Sequence, residues 1–272
     1  MNADAQPFRV AAVQMISGGD VAANLAQAKP LIDAAVARDA KLVVLPEYFG
    51  ILGKHAGDKV RVREADGHGP QQQFLSDEAR RHGIWLVGGT VPLECGEEGR
   101  VRSACLVYGP DGARVARYDK VHLFAFARGE ERYDEGRTIQ RGTQRGTFDL
   151  PFGRVALSVC YDLRFPELYR GCGDIALLLA PSAFTHTTGA AHWHLLLRAR
   201  AVENLCYVLA AAQGGLHPNG RRTYGHSMLI DPWGEIIDEL AEGPGVVVGD
   251  VDPARIAQVR EQLPALRHRV FT

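Results

Sequence analysis

The stretch Leu157-Ser158-Val159-Cys160-Tyr161-Asp162-Leu163-Arg164-Phe165-Pro166-Glu167 decides how the rest of the chain is interpreted. The apolar run 155–159 predicts a buried strand that stops at Cys160. Polar residues follow, and Pro166 suits the first turn of a short helix. The carboxyl end of a buried strand is where open α/β sheets bind their ligands. Cys160 is therefore a candidate nucleophile, and the alternative is a small buried hydrophobic residue.

Length and charge limit the class of protein. The chain has 272 residues, enough for one large domain with a sizeable core. Its formal net charge of −1 provides no excess of positive charge that would attract nucleic acid or an acidic membrane surface. No apolar stretch is long enough to span a bilayer, and residues 1–7 lack the pattern of a signal peptide. We expect a single domain over residues 1–272, a cytoplasmic location, and neither a nucleic-acid nor a membrane partner.

Cysteine and histidine spacing argues against metals and cofactors. The five cysteines are Cys95, Cys105, Cys160, Cys172 and Cys206. An odd number at irregular spacing, without Cys-x-x-Cys, argues against a disulfide framework and a structural zinc site. His192 and His194 would face apart on a helix, and a loose G-x-G-x-x-A pattern at 171–176 precedes a strand instead of following one. We expect reduced thiols, no metal and no cofactor.

Strands and helices alternate in both halves of the sequence. In the first half, Phe8–Gln14 and Leu42–Leu45 predict strands on either side of a helix over residues 20–38. Such a unit places its two strands parallel. The second half repeats this order, with strands at 175–180 and 207–212 around a helix at 192–204. Each half also contains a hairpin, so two mixed sheets covered by helices would accommodate the chain as one α/β domain.

Two segments show little periodicity. Residues 124–146 are charged and interrupted by glycine, which predicts a long loop of the kind that often serves function. The tail from about residue 264 is basic and irregular. We expect this tail to be extended and to lie at an oligomer interface.

Three polar residues, Glu47, Lys120 and Cys160, follow predicted strands or hairpins. Each residue alone could instead have no catalytic role: Glu47 as a surface carboxylate, Lys120 as a solvated charge and Cys160 as a core residue. Together they form a chemically sensible set. A cysteine nucleophile needs a base, a carboxylate with a pKa raised by burial can be that base, and an ammonium can stabilise an oxyanion. The three residues therefore predict acyl transfer through a cysteine.

The sequence resembles the nitrilase superfamily, the carbon–nitrogen hydrolases. Three motifs carry the resemblance in the family's order: Leu45-Pro46-Glu47, Tyr118-Asp119-Lys120-Val121-His122-Leu123-Phe124 and Ser158-Val159-Cys160-Tyr161-Asp162-Leu163-Arg164-Phe165-Pro166-Glu167. The resemblance covers the chain from the first strand to about His268. It implies a four-layer α-β-β-α sandwich of two mixed sheets. It also implies that Glu47 is the general base, Lys120 the oxyanion stabiliser and Cys160 the nucleophile.

The same resemblance implies further site residues. Many members have a second catalytic glutamate between the lysine and the cysteine, and Glu135 is the best match here, with Glu130 and Glu131 as alternatives. The backbone N–H of Tyr161 would be a second oxyanion donor. The other expected substrate-binding residues are Arg164, Ser182, Phe184 and Tyr48.

The carboxyl-terminal half resembles the Nit branch, which includes deaminated-glutathione amidases and ω-amidases. The supporting motifs include Pro181-Ser182-Ala183-Phe184 and Tyr224-Gly225-His226-Ser227-Met228. True nitrilases usually follow the cysteine with Trp-Glu, and the residues here are Tyr161-Asp162, which favours an amide substrate over a nitrile.

We expect the substrate to be a small carboxylate-bearing amide of the deaminated-glutathione type. The alternatives are an ω-amidase, an N-carbamoyl amino acid amidohydrolase, or an inactive member that acts as a binding module. Arginine suits a substrate carboxylate because its planar guanidinium donates two parallel hydrogen bonds to the two carboxylate oxygens. The candidate arginines are Arg128, Arg132, Arg137, Arg164, Arg198 and Arg200. Family resemblance also implies a homodimer or a higher homo-oligomer.

Overall fold

The structure, a computed structural model, describes residues 6–129 and 131–271. Its strands are Phe8–Gln14 (β1), Leu42–Leu45 (β2), Trp85–Glu94 (β3), Val101–Tyr108 (β4), Arg114–Asp119 (β5), Ala125–Arg128 (β6), Glu131–Asp134 (β7), Gly146–Leu150 (β8), Gly153–Leu157 (β9), Ile175–Leu179 (β10), Tyr207–Ala210 (β11), Gly214–Leu216 (β12), Arg222–Tyr224 (β13), Ser227–Ile230 (β14), Ile236–Leu240 (β15) and Gly245–Val251 (β16). The helices are Val21–Val36 (α1), Asp58–Arg61 (α2), Pro70–His82 (α3), Pro166–Arg170 (α4), His186–Asn204 (α5) and Pro253–Gln262 (α6). Short 3-10 helices cover Glu135–Arg137, Cys160–Arg164 and Ala265–His268.

Two six-stranded mixed sheets repeat one pattern of pairing. The first has the order β16-β1-β2-β3-β4-β5, and the second β8-β9-β10-β11-β14-β15. In each sheet three neighbouring strands are parallel, with an antiparallel strand on one side and an antiparallel hairpin on the other. The repetition predicted from the order of elements in the two halves is confirmed.

The two sheets pack face to face, with helices on their outer faces. In β1, Val10 and Ala12 belong to the core shared with the second sheet, whereas Ala11 and Val13 belong to a separate core with α1 and α3. This alternation follows from the two-residue period of a strand. Helix α5 packs on the second sheet. The predicted four-layer α-β-β-α sandwich is confirmed.

Helix boundaries follow local capping. The side chain of Asp20 accepts a hydrogen bond from the backbone N–H of Ala23 at 2.8 Å and caps α1. Helix α5 begins at His186, six residues before the predicted start at residue 192, because the hydroxyl of Thr185 caps it by accepting from the N–H of Thr188.

No helix in residues 6–129 and 131–271 is both long enough and apolar enough to cross a membrane.

Two expectations about irregular segments were wrong in detail. Residues 124–146 contain the β6–β7 hairpin and the Glu135–Arg137 turn, so this segment is not a simple loop. The tail is not wholly extended, because Ala265–His268 forms a 3-10 turn. Pro264, with φ of −76°, starts this turn and its carbonyl accepts the N–H of Arg267 at 3.0 Å.

Candidate active site

Cys160 stands at a sharp turn between two parallel strands. It follows β9 and has a φ of +51°, a left-handed conformation that is uncommon for a residue with a side chain. Its N–H donates to the carbonyl of Pro181, just beyond the neighbouring strand β10, at 3.0 Å. Only 7% of the residue is exposed. The turn therefore holds the thiol rigidly at the carboxyl end of the sheet.

Glu47 reaches the same place from the other sheet. It lies just beyond β2, and the next residue, Tyr48, also has a left-handed φ of +59°. The carboxylate accepts the backbone N–H of Ala183 through Oε2 at 2.9 Å. The side-chain amide of Gln213 donates to the backbone carbonyl of Glu47 at 3.1 Å. Glu47 is buried. Two residues from the second half of the chain thus fix Glu47: the Ala183 N–H holds its carboxylate, and the Gln213 side chain holds its backbone carbonyl.

Lys120 lies between two carboxylates. It directly follows β5, and its side chain is fully buried. Its ammonium nitrogen Nζ is 2.7 Å from Oε1 of Glu47 and 2.7 Å from Oε2 of Glu135. A buried ammonium is stable only when it is paired in this way.

Glu135 is held at the start of its 3-10 turn. Its carboxylate accepts the hydroxyl of Tyr48 at 2.6 Å and the backbone N–H of Phe124 at 2.7 Å. Among the alternatives considered from the sequence, Glu131 lies in β7 and forms no ion pair with Lys120 in the described chain. Glu130 lies outside the described residues.

Burial and charge shift the protonation of this cluster. Burial raises the pKa of Glu47, and the charge of Glu135 adds to that effect while Lys120 opposes it. Burial and the charge of Glu47 raise the pKa of the Cys160 thiol well above its ordinary value. Burial alone would lower the pKa of Lys120, but the two carboxylates raise it well above the ordinary value. The resting site therefore favours a neutral thiol beside a protonated lysine.

A second buried carboxylate links the motifs that carry the lysine and the cysteine. Asp162 accepts the hydroxyl of Tyr118 at 2.7 Å, the N–H of His122 at 3.0 Å and the N–H of Val159 at 2.9 Å. Sequence reasoning missed this role. A usable signal existed, because Tyr118 and His122 flank Lys120 at two residues on either side.

Two neighbouring cavities open on the cluster. The narrow one is lined by Cys160 and by Tyr161, Arg164, Phe184, Thr188 and Phe124 among others. The wide one has a volume of about 630 Å³ and reaches Tyr48 and Glu135. Phe124 lines both cavities. The predicted residues Tyr161, Arg164 and Phe184 therefore lie beside the cysteine, and Tyr48 lies on the other side of the cluster.

Some expected residues are placed elsewhere. Ser182 is buried and lines neither cavity, and its hydroxyl donates to the carbonyl of Ala180 at 3.0 Å. Arg198 donates to the carbonyl of Gly234, and Arg200 is buried against Leu163 and Glu203. Both arginines therefore stabilise packing around α5, and they line neither the wide nor the narrow cavity.

The loop arginines divide between the surface and the wide cavity. Arg128 is exposed at the end of β6, whereas Arg132 and Arg137 line the wide cavity. Sequence reasoning missed three further cations of that cavity, Lys54, Lys59 and Arg221.

Comparison with known proteins identifies the class. The sequence matches the carbon-nitrogen hydrolase family over residues 9–261. The chain therefore belongs to that family, and it is a hydrolase that acts on carbon–nitrogen bonds other than peptide bonds. The predicted membership of the nitrilase superfamily is confirmed.

The relatives are amidases of the Nit branch. The chain is 41% identical over 272 residues to a deaminated glutathione amidase of Synechocystis sp., covering 98% of this chain and 99% of the relative. It is 37% identical over 269 residues to the omega-amidase NIT2 of Homo sapiens, covering 96% and 95%. The crystal structure of Saccharomyces cerevisiae Nit3, a member of branch 10 of the nitrilase superfamily, has a TM-score of 0.89 at 32% identity and covers 100% of this chain and 99% of its own. Amidase-like hydrolysis is the activity these relatives support.

Proposed function

We propose that the chain hydrolyses its amide through a thioester on Cys160, with Glu47 as general base. The observation that carries this proposal is Lys120, whose ammonium bridges Glu47 and Glu135 beside the cysteine. The thiol is neutral at rest, so its sulfur becomes nucleophilic only as its proton moves to Glu47. Attack on the carbonyl carbon forms the carbon–sulfur bond and a tetrahedral oxyanion.

Lys120 and the backbone N–H of Tyr161 then stabilise the oxyanion. An ammonium that is already buried and fixed needs no reorganisation when the charge develops. Glu47 returns its proton to the amide nitrogen, the carbon–nitrogen bond breaks, and the amine leaves. A water molecule, deprotonated by Glu47, attacks the thioester. The carbon–sulfur bond breaks, the carboxylic acid is released, and Glu47 returns its proton to the Cys160 thiolate.

Glu135 has a positioning role in this scheme. Its hydrogen bonds with Tyr48 and with the N–H of Phe124 fix its carboxylate against Lys120. A carboxylate there keeps the lysine protonated, because it favours the charged form of the ammonium.

The substrate that we propose is a small ω-amide that carries a carboxylate on its acyl half. Arg164 supports this proposal, because it lines the narrow cavity together with Cys160, and its guanidinium carbon lies 5.5 Å from the centre of the Phe184 ring. An amide of the deaminated-glutathione type is the first candidate, because the relative with that name covers nearly the whole chain. An ω-amidase substrate is the second, supported by the NIT2 relatives.

A paired substrate comparison tests this assignment. Each carboxylated amide is compared with its methyl ester on the acyl half, with kcat/KM as the measurement. The free acid should be preferred by about tenfold or more, because a charged hydrogen bond contributes about 1.5–3 kcal/mol. Equal rates for acid and ester, or turnover of nitriles alone, would contradict the substrate assignment.

We also propose one domain that assembles into a homodimer or a larger homo-oligomer in the cytoplasm. The core between the two sheets contains residues from both halves of the chain, which supports a single domain. Exposed apolar side chains on α5 support assembly. All five cysteines are free thiols, as is usual for cytoplasmic proteins.

A further inference from the structure

A cluster of two histidines and one carboxylate lies outside the catalytic site, beside the edge strand β15. His194 belongs to α5, His226 lies between β13 and β14, and Glu239 belongs to β15. One carboxylate oxygen, Oε1 of Glu239, is 2.8 Å from Nε2 of His194 and 2.5 Å from Nδ1 of His226. The ligand atoms of the three side chains all lie within 4.8 Å of one another. Three separate elements therefore bring nitrogen and oxygen ligands to one point.

The surrounding structure holds both histidine rings in place. His226 has a left-handed φ of +55°, and its N–H donates to the carbonyl of Ala241 at 2.8 Å. Its own carbonyl accepts the indole N–H of the buried Trp193 at 2.8 Å. The Tyr224 ring stacks on His226 with 4.3 Å between ring centres, and it lies edge-on against His194 at 6.0 Å. Side chains that are fixed before a ligand arrives favour metal binding.

No side-chain cation occupies this cluster in the part of the chain that the structure describes. Glu239 forms ion pairs with its two histidines, and no lysine or arginine lies within ion-pair distance of it. A second cluster of possible metal ligands, Asp33, Glu78 and His82, differs in this respect. There Arg81 donates to both carboxylates at 2.5 Å and takes the place that a metal ion would need.

The ligand atoms suit a transition metal. Imidazole nitrogen is a good ligand for zinc, copper, nickel and iron, whereas magnesium and calcium prefer oxygen ligands. Two histidines and one glutamate can hold zinc with a fourth position open to water. Burial alone would raise the pKa of Glu239, but hydrogen bonds from His226 and His194 lower it, so the carboxylate is ionised at neutral pH. The side chains of His194, His226 and Glu239 are 35%, 23% and 28% exposed, so an ion can enter from solvent.

We propose that His194, His226 and Glu239 bind one divalent transition-metal ion, with zinc as the first candidate. Ligand atoms in a tetrahedral zinc site lie about 3.3 Å apart, so the two contacts with Glu239 must widen by about 0.5–0.8 Å. Rotation of the partly exposed side chains allows this change. The expectation of no metal considered His194 together with His192, whereas the partners of His194 come from β15 and from the segment before β14. A bound ion would tie α5 to the edge of the second sheet.

Zinc titration of the whole chain, freed of metal with a chelator, tests the proposal. Calorimetry should show one zinc ion bound per chain. Glu239→Gln keeps an oxygen that accepts hydrogen bonds but removes the anionic ligand, and His194→Ala removes a nitrogen ligand. Each should weaken zinc affinity by about tenfold or more, because loss of even an outer partner of a metal ligand costs about 10–100-fold. Zinc should raise the Tm of the wild-type protein and magnesium should not, since only a ligand of the folded state stabilises it.

His192→Gln is the matched control, because His192 lies on the same helix and contacts Arg164 instead of Glu239. It should keep the wild-type zinc affinity. Cobalt binding to Cys160→Ala protein identifies the ligands, since this background lacks the catalytic thiol. Visible cobalt bands without sulfur-to-cobalt charge transfer support the proposal, whereas charge-transfer bands would place the ion on a cysteine and overturn it. Wild-type protein that binds no zinc, or binds it no more tightly than Glu239→Gln and His194→Ala, also overturns it.

Discussion

The hydroxyl of Tyr118 donates a hydrogen bond of 2.7 Å to the carboxylate of Asp162, and both side chains are buried. Tyr118 precedes Lys120 by two residues, and Asp162 follows Cys160 by two. The same carboxylate accepts the N–H of His122 and lies 2.7 Å from its ring nitrogen Nδ1. One buried carboxylate therefore sets the position of the lysine segment relative to the cysteine turn.

Asp162→Asn should reduce kcat by about 10²-fold while the protein stays folded. The amide has one acceptor oxygen where the carboxylate has two, so it cannot accept all of these donors. A misplacement of about 1 Å can cost about 10²-fold in rate. The measurement is kcat together with circular dichroism. Asp250→Asn is the control, because Asp250 pairs with Arg9 at the surface. Wild-type kcat in a folded Asp162→Asn variant would show that this carboxylate does not position the site.

Cys160→Ala should abolish turnover and leave the fold intact. Removing a nucleophile costs orders of magnitude in rate, whereas removing one buried sulfur costs about 1–2 kcal/mol of stability. Cys160→Ser should be nearly inactive as well, because a hydroxyl is a far weaker nucleophile beside a carboxylate base. Steady-state activity and urea denaturation are the measurements, with Cys95→Ala as the control because Cys95 lines neither cavity. Retention of most activity in purified Cys160→Ala protein contradicts the mechanism.

Regular elements with strong periodicity could be predicted from the sequence. Strands β1 and β2 were predicted at their observed bounds, because they are short apolar runs that end at polar residues. The start of α5 was missed because His186-Thr187-Thr188-Gly189 is polar and contains glycine, which resembles a loop. Its stability as a helix depends on the Thr185 cap and on burial of Thr188 and Gly189, which only the tertiary structure provides.

The site could be predicted only in part, for a related reason. The residues that the structure brings together beside Cys160 lie at strand ends, where the order of elements already indicates convergence. Lys59 and Arg221 follow no such rule. They lie in segments with weak periodicity. They line one cavity because the Asn219 side chain, two residues before Arg221, donates hydrogen bonds to the carbonyls of Leu52 and Gly53, in the segment that precedes Lys59.

Gly89→Ala should destabilise the protein by about 3 kcal/mol or more and reduce activity. A Cβ at Gly89 would lie 1.8 Å from the carbonyl oxygen of Pro46, which immediately precedes Glu47. The contact is with backbone, so relief requires a shift of β2 or β3, and overpacking of this kind costs about 1–3 kcal/mol or more. Urea denaturation and kcat are the measurements. Gly19→Ala is the control, because a Cβ at Gly19 meets nothing within 4 Å. Equal stability of the two variants contradicts the prediction.

Leu195→Glu should convert the proposed oligomer into a monomer. Leu195 and Val202 are seven residues apart on α5, so they share one face of the helix, and they are 70% and 43% exposed. A charge buried in an apolar interface is costly unless it is paired. Light scattering at micromolar concentration measures the mass. Leu216→Glu is the matched control, because Leu216 is equally exposed but lies on β12. A monomeric wild-type protein, or an oligomer that survives Leu195→Glu, would count against assembly through this face.

The acid side of the pH–rate profile should report the raised pKa of Glu47. The base acts only when it is ionised, so kcat/KM should fall as the pH drops through that pKa, at a higher pH than an ordinary glutamate of about 4.3 would give. Lys120 and the Cys160 thiol, whose pKa values are raised well above the ordinary ones, keep their protons through neutral pH. Glu47 and Glu135 both pair with Lys120, so their ionisations are coupled. The observed midpoint is therefore an apparent pKa of the two carboxylates together.

Glu135→Gln should move that acid midpoint to lower pH, even though the rate falls. The substitution removes a negative charge that raises the pKa of Glu47, and it leaves Lys120 with a single carboxylate partner. Both effects favour the ionised form of Glu47, so the base stays active at lower pH. The profile of kcat/KM from pH 4 to pH 9 is the measurement, with Glu131→Gln as the control because Glu131 forms no ion pair with Lys120 in the described chain. An acid midpoint that stays in place or moves upward in Glu135→Gln would mean that Glu47 is not the group whose ionisation limits the reaction.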